Sequence, residues 1–519
     1  MFERPTRRHK WALAAAVGAA ALIASALPQA AAGQAPEDPL SRARVQVDFR
    51  AREGRLLHTE RLNNFANPSV VPERRTDDAA FLSEQGLHAD IHRVWMDDDA
   101  DEGTAHADLC VVETNTCDFS PVAAYLRDAA AMADSLLVVP MPTTLIGQRR
   151  PPAETKAILK MIIKGLKERH PKIEYIEAFN EPDMHFYGAQ VRNGREPVLR
   201  PEELYSYYVP VYEVVNEVNR ELKPRVPLKV GGPALTSLND TWMKAFLDGY
   251  ANDRNPGKRL DFISYHGYGE FDEKFQKYHF YKGNPSEVRT QRARLDRMLA
   301  DRGIKTNIPA FITESGIYPG PAFDDAEGTT DYVRQAAGMA SLHYWYSKQP
   351  ETYPFNWVVR HGSNAESRKD QLVTPRPQPG MPIPADTFTP YGNMMLMQSK
   401  MKATRVKAAS DGLDAGQGVY ALASMDKTGA SLMVWNYQHI NRERFRARIA
   451  MSHLPARLRH GPVHQRMYRV DQTTSNYFAD PAKAELQLVD ERTVDLGEHH
   501  TESIDLEPNA IYLILLEPA

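Results

Sequence analysis

Residues 172–187 read KIEYIEAFNEPDMHFY. The first half has the look of a buried strand, since Ile173, Tyr175, Ile176 and Phe179 are apolar and β-favouring. It then runs straight into Asn180-Glu181-Pro182-Asp183. A proline has no N–H for the ladder and a fixed φ, so the expectation is that Pro182 ends the pairing and fixes the chain's exit. A carboxylate at the end of an apolar strand is what a site built on strand ends requires.

Runs of the same texture recur along the chain. They are RLNNFANPS (61–69), HADIHRVWM (88–96), DSLLVVPMP (134–142), KIEYIEAFN (172–180), LKVGGPAL (228–235), LDFISYHGY (260–268), IPAFITES (308–315) and YPFNWVV (353–359). Stretches with helical spacing separate most of them, among them AETKAILKMIIKGLKERH, PEELYSYYVPVYEVVNEVNREL and TTDYVRQAAGMASLHYWYSK. Near-continuous apolar strands alternating with helices point to an α/β fold with a parallel sheet covered on its outside. Eight such units closing on themselves predict a (β/α)8 TIM barrel. An open doubly wound sheet is the alternative, but no Gly-rich nucleotide fingerprint follows any early strand.

After about residue 401 the texture changes. GVYALASMDKTGASLMVWNYQ, FRARIAMSHL, HQRMYRVDQTTSNY and AIYLILLEP are short runs broken by Gly, Asp-Lys and Asn. They predict a C-terminal β-sandwich, with ARVQVDFRA (43–51) as its N-terminal partner strand. The expected boundaries are a signal peptide over 1–33, the partner strand within 34–56, the barrel over 57–398 and the sandwich over 399–519. The Pro-rich segment 374–390 reads as a loop over the barrel mouth.

The first 33 residues say where the protein goes. Basic RPTRRHK leads into WALAAAVGAAALIASAL and then small residues around Ala30-Ala31-Ala32. This predicts an exported, secreted or periplasmic protein, with TRR as a twin-arginine feature, and no membrane span in the mature chain. The two cysteines, Cys110 and Cys117, are close enough to close a small loop disulfide in an oxidising compartment. Over 519 residues the net charge is −4, so no basic field for a nucleic acid exists. Oligomeric state leaves no mark on the sequence.

A second carboxylate stands in the matching place: Glu314, in IPAFITESGIY, ends the seventh apolar run. In such a barrel the strand ends form the active site. Two carboxyl groups aimed at one mouth are what glycosidic cleavage needs, one to protonate the leaving oxygen and one to attack the sugar. Their environments must hold their pKa values apart.

At this point the chain resembles the clan A glycoside hydrolases, which carry an Asn-Glu pair ending strand four and a Glu ending strand seven. It is most similar to glycoside hydrolase family 39, the family of β-xylosidases and α-L-iduronidases. The resemblance rests on FLSEQGLHADIHRVWMDDD (81–99), FNEPD, VGGPAL, LDFISYHGYG and ITESGIY, in the family's order and spanning roughly 63–391. It implies Glu181 as acid/base and Glu314 as nucleophile of a retaining double displacement. Asn180 would contact the sugar 2-hydroxyl, and Arg93 would favour the ionised nucleophile. His266 and Tyr268 would line the site, and Trp357 would offer an aromatic face to the sugar. The reaction implies a carbohydrate substrate, no metal and no organic cofactor.

The pattern departs from the family in places. Trp95 stands where a family member commonly has histidine, so it joins the pocket residues while the histidine's contact is expected to be missing or supplied elsewhere. Phe179 replaces the usual tryptophan, and TESGIY lacks a following Trp-Asn. Plainer readings exist for single residues: Arg93 and His92 snorkelling at a strand end, His266 and Trp357 as core, Trp345 as core in a helical pattern, and His499-His500 exposed and inert. His88 and His92 have helix-style metal spacing but sit across a strand, and the acidic run 97–102 reads as a solvated loop. For the whole protein, the alternatives to a glycosidase are a catalytically inactive carbohydrate-binding barrel and a transglycosylase. A binder needs neither Glu181 nor Glu314.

Overall fold

Eight parallel strands close a barrel in chain order: β1 (Leu62–Asn64), β2 (Ala89–Trp95), β3 (Ala133–Val139), β4 (Ile173–Glu177), β5 (Lys229–Leu235), β6 (Phe262–Gly267), β7 (Ala310–Ser315) and β8 (Thr352–Asn356). β8 returns to β1 through the pair Asn356 and Asn63. The computed structural model describes residues 40–65, 78–96, 109–111, 114–140, 152–268, 285–317, 331–357, 359, 387–438 and 442–519. The expected signal peptide, the acidic run 97–102 and most of the Pro-rich segment lie outside these residues.

Inward-facing side chains divide the barrel into two levels. Leu62, Ile91, Leu137, Val139, Phe262, Phe311 and Phe355 pack into one apolar plug, with Phe262 stacked on Phe311 at 4.7 Å. Residues two apart on a strand share a face, so one step further along the same strands the interior turns polar. Ile91 is followed by Arg93, Leu62 by Asn64, and Phe262 by Ser264 and His266, all buried. The plug is therefore a dry floor beneath a polar mouth. Outward residues such as Val94, Val138, Ile176, Ile263 and Ile312 join the helices in the main core. Being apolar on both faces, these strands read as continuous runs.

The helices follow the same logic. Leu204–Leu222 buries Leu204, Tyr208, Val211, Val215 and Val218 on one face. Its opposite flank faces helix Pro152–Arg169 through a ladder of Lys156, Lys160 and Lys164 with Glu213, Glu217 and Glu221. Pro182 is a correction to the expectation. Pairing of β4 ends already at Glu177, and Pro182 opens a helical segment instead, where its missing N–H has no partner to lose.

The second domain is a sandwich made of one sheet. Its strands run, edge to edge, 487–495, 462–470, 511–518, 430–437, 417–425, 404–410, 41–55, 445–452 and 499–506. Strand Ser41–Arg55 lies antiparallel to Thr404–Ser410 and parallel to Phe445–Ser452. The two ends of the sheet fold over one another: Glu502, on the last strand, accepts from Gln465 and Arg492 near the other edge. Between the layers sit Val45, Val47, Phe49, Leu432, Val434, Ile449 and Ile514.

Strand Ala430–Tyr437 is buried on both faces. Leu432 and Val434 point into the sandwich, while Met433, Trp435 and Tyr437 join the main core with the barrel helices. Trp435 stacks on Tyr420 at 5.1 Å and donates from Nε1 to Ser341 on helix Tyr332–Tyr346. Trp345, expected as core, is half-buried in this same seam and donates to the Tyr420 hydroxyl. His499 and His500 begin the sandwich strand His499–Leu506. Cys110 and Cys117 are joined in a disulfide across a two-stranded hairpin. No described helix is long and apolar enough to cross a membrane.

Candidate active site

Two backbone irregularities aim the carboxylates. On β7, Phe311 faces the plug and Ile312 the helices, so strict alternation would send Glu314 outward with Ile312. The pairing with β6 slips between Ile312 and Glu314, and this bulge turns Glu314 inward opposite His266. Glu181 lies beyond β4 with φ at 43°, in the left-handed region a glutamate rarely occupies. Its N–H donates to the Ala234 carbonyl at the end of β5, and its own carbonyl caps the next turn by accepting from Met184 and His185. The neighbouring element thus holds the strained turn in place. The turn that follows, Met184–Gly188, is a π-helical one, and it carries His185.

Arg93 organises the floor of the site. Its guanidinium is fully buried and donates in three directions. Nε binds Glu177 Oε2 at 2.6 Å, Nη1 binds Glu314 Oε1 at 2.7 Å and Asn64 Oδ1 at 3.2 Å, and Nη2 binds Asn180 Oδ1 at 2.9 Å. Burial alone would lower the Arg93 pKa, but Glu177 and Glu314 outweigh it and raise it. The other oxygen of Glu314 accepts from the Tyr268 hydroxyl at 2.6 Å.

Glu181 sits in a different environment. Its Oε1 lies 2.8 Å from His266 Nδ1, and its Oε2 lies 3.8 Å from His185 Nε2. Burial pushes its pKa up, against the opposing pull of His185 and Arg93. Burial also lowers the His266 pKa to about 4, against the pull of Glu314. The imidazole is therefore neutral at ordinary pH. A proton on Nδ1 serves both states of Glu181, because Oε1 accepts from it whether or not Oε2 carries a proton. That leaves Oε2 as the oxygen free to exchange a proton. Nδ1 is also 3.5 Å from Glu314 Oε2, so His266 sits between the two carboxyl groups.

The two tryptophans form the wall. Trp95 and Trp357 meet edge to face at 6.1 Å, and the Arg93 guanidinium lies 4.2 Å over the Trp95 ring. All eight residues expected from the sequence thus fall into one connected cluster: Glu181, Glu314, Asn180, Arg93, His266, Tyr268, Trp357 and Trp95. His92 faces away, donating from Nδ1 to the Ala129 carbonyl, and His88 pairs with Asp134.

One oxygen or nitrogen each from Glu181, His266 and Glu314 lie within 4.8 Å of one another. That spacing also suits a metal ion, but the surrounding charge does not. The Arg93 cation already occupies Glu314 Oε1, Tyr268 occupies Oε2, and His266 Nδ1 is bound to Glu181. A cation there would face a guanidinium fixed 2.7 Å from its ligand.

No protein-family model matches the chain, and no curated protein does. Solved structures do. The bacterial orthologue of human α-L-iduronidase superposes with a TM-score of 0.67 at 13% identity, over 92% of this chain and 84% of that one. The GH39 enzyme from Xanthomonas axonopodis pv. citri gives 0.64 at 14%, over 93% and 100%. A monomeric β-xylosidase from Caulobacter crescentus CB15 gives 0.62 at 14%, over 92% and 100%. The fold is that of the clan A glycoside hydrolases, of the family 39 kind. Three residues of the cluster escaped the sequence reading. Glu177 is a carboxylate inside an apolar run, and that oddity was its signal. Asn64 and His185 carried none, since their roles depend on β2 and on the π turn.

Proposed function

We propose that the protein is a retaining O-glycosidase in which Glu181 is the acid/base and Glu314 the nucleophile. The observation that carries this reading is the approach of the two carboxyl groups to within 4.8 Å, with His266 between them. Retaining enzymes keep their carboxyl groups about 5–5.5 Å apart, whereas inverting ones leave about 6.5–9.5 Å for a water. The asymmetry of environment supports the assignment of roles. Glu181 has its pKa raised and one oxygen free, as a proton donor needs. Glu314 has a guanidinium and a phenol fixed on it, as a group that must meet a developing cation needs.

In the first step a Glu314 oxygen attacks the anomeric carbon while Glu181 gives its proton to the departing glycosidic oxygen. In the second, Glu181 takes a proton from water, the water oxygen bonds to the anomeric carbon, and the Glu314 ester bond breaks. Asn180, fixed by Arg93, offers its amide to a sugar hydroxyl, and Trp357 with Trp95 offers the apolar wall. The structural neighbours include a β-xylosidase and an α-L-iduronidase orthologue, so pentosides and uronides are the first substrates to try. The barrel over residues 57–398 is the catalytic domain in this reading, and residues 1–33 direct export. N-terminal sequencing of the exported protein checks the last point.

The test is hydrolysis of a panel of aryl glycosides by wild type and by Glu314→Gln, with NMR of the first-formed anomer. Turnover with retained configuration that disappears in the variant is the expected result. An inverted product refutes the mechanism. A panel with no turnover but measurable sugar binding favours an inactive carbohydrate-binding barrel, and coupling to added sugar acceptors favours a transglycosylase.

A further inference from the structure

We propose that Glu177 is the permanent counter-ion of Arg93, a positioning residue that keeps the arginine neutralised while Glu314 gives up its charge to the sugar. This rests on the reading of Glu314 as the nucleophile. Glu177 is the last residue of β4, fully buried beneath the mouth, and its Oε2 accepts from Arg93 Nε at 2.6 Å. Its other oxygen, Oε1, is buried with no hydrogen-bond partner among the described residues. A carboxylate held in this way is costly, and holding Arg93 in place does not by itself call for it. Asn64, Asn180 and Glu314 already accept from both Nη atoms and fix the plane of the guanidinium.

Charge along the reaction gives the reason. In the free enzyme the buried group holds one cation, Arg93, and two carboxylates, Glu177 and Glu314. When Glu314 attacks, its electron pair becomes the bond to the anomeric carbon, the leaving oxygen departs with the Glu181 proton, and the ester is neutral. Arg93 has no solvent exposure, so water cannot replace the lost partner. With Glu177 present, the intermediate keeps a carboxylate bonded to Arg93, whereas the charge that proton transfer leaves on Glu181 sits against His266 and is not bonded to the guanidinium. Without the Glu177 charge, the same step would strand a buried guanidinium, and the penalty would grow as the transition state is approached. Hydrolysis of the ester runs the other way, returning a carboxylate to Arg93. The missing counter-ion therefore slows glycosylation and leaves deglycosylation unhindered. A merely structural defect, such as a displaced Arg93, slows both.

The experiment uses Glu177→Gln, which keeps the shape and removes the charge, and Glu177→Asp, which keeps the charge. The probe is the dinitrophenyl 2-deoxy-2-fluoro glycoside of whichever sugar the wild type hydrolyses. Inactivation rate reports glycosylation, and recovery after removal of the probe reports deglycosylation. Inactivation of Glu177→Gln is expected to fall roughly 100-fold or more, with recovery no slower than wild type, and Glu177→Asp is expected to restore most of the inactivation rate. Equal slowing of both steps, or no slowing of either, overturns the proposal. Should Glu177→Gln fail to fold, the double variant Arg93→Gln/Glu177→Gln is compared with Arg93→Gln. No further loss of inactivation rate in the double variant supports action through Arg93, and a further loss overturns it. A wild type never labelled at Glu314 overturns the nucleophile assignment and this inference with it. That result is distinct from a labelled wild type whose variant behaves identically.

Discussion

Replacing Glu181 by Gln tests the acid/base assignment while leaving the fold intact. The amide oxygen still accepts from His266 Nδ1, now 2.8 Å from Oε1, but no proton is available at the other position. For a sugar leaving group, loss of general acid catalysis costs about 10²–10⁴ in the first step, or about 3–5 kcal/mol. A dinitrophenolate leaves without a proton, so its first step should fall by less than about tenfold. The second step still needs Glu181 as base, so the glycosyl-enzyme accumulates and a burst of dinitrophenol appears. In Glu181→Ala the vacated space admits azide, which should restore turnover and give a glycosyl azide of retained configuration. That variant also strips His266 of its described partner at Nδ1, so a stability loss of about 1–3 kcal/mol is expected for Ala and not for Gln.

The pH profile adds an independent check. Burial raises the Glu181 pKa above the ordinary 4.5, so the protonated acid persists to higher pH than an ordinary carboxyl would allow. On substrates whose leaving group needs a proton, the basic limb of kcat/KM in the wild type should reflect that titration and be absent in Glu181→Gln. Stopped-flow measurement of the burst, with steady-state rates on a leaving-group series, decides the matter. Equal losses on poor and good leaving groups would refute the assignment. Azide rescue of Glu314→Ala with retained product, or of Glu181→Ala with inverted product, would exchange the two roles.

Further outcomes follow from other parts of the molecule. Tyr268→Phe removes a 2.6 Å hydrogen bond to Glu314, and a bond to a charged group is worth about 1.5–3 kcal/mol, so kcat/KM should fall about 10–100-fold with unchanged melting temperature. His92, His266 and His343 are buried and held down to about 4, so between about 6.5 and 4 the unfolded chain binds protons that the folded one refuses. Stability should therefore drop as pH falls through that window, by at most about 3 kcal/mol per histidine. Asp183, pushed up to about 6 by burial, acts in the opposite sense above its ordinary 3.8, so Asp183→Asn should steepen the melting-temperature profile. A flat profile between pH 7 and 4.5 would contradict both statements. Opening the Cys110–Cys117 loop, whose ends are seven residues apart, should cost about 2.5 kcal/mol in the chain-entropy account, read by denaturant titration of Cys110→Ser/Cys117→Ser. Trp435→Ala, at the seam of barrel and sandwich, should cost about 3–5 kcal/mol and lower the unfolding midpoint of both domains together.

How far the sequence alone reaches depends on how local the cause is. The barrel was legible because β2, β4, β6 and β7 are buried on both faces, which writes unbroken apolar runs into the chain. Glu181 and Glu314 were legible because each terminates such a run. What decides their geometry was not: the inward turn of Glu314 comes from a slip against β6, and the strained φ of Glu181 is held by β5. The single rolled sheet was invisible for a similar reason. The partners of strand Ser41–Arg55 lie some 360 to 400 residues away, and nothing local marks it as parallel to one and antiparallel to the other. Glu177 stood in plain view inside an apolar run, but its meaning appears only when β4 is set beside β3 and Arg93 reaches across from β2.

The two glutamates differ chemically because of where one cation was placed. Both end strands of the same barrel, and both approach the same imidazole. Arg93 is bonded to Glu314 and only senses Glu181 at a distance, where its pull is weaker than the effect of burial. His266, kept neutral by its own burial, cannot even out that difference, since an uncharged ring donates a hydrogen bond without supplying a charge. A protonated His266 would lower the Glu181 pKa and leave less of it protonated, and so able to give up a proton, at working pH. The apolar plug of Phe262, Phe311 and Phe355 just beneath is thus more than filler. By keeping water from His266 and Arg93, it keeps one ring neutral and one guanidinium dependent on its carboxylates, and the division of labour proposed for Glu181 and Glu314 rests on that dryness.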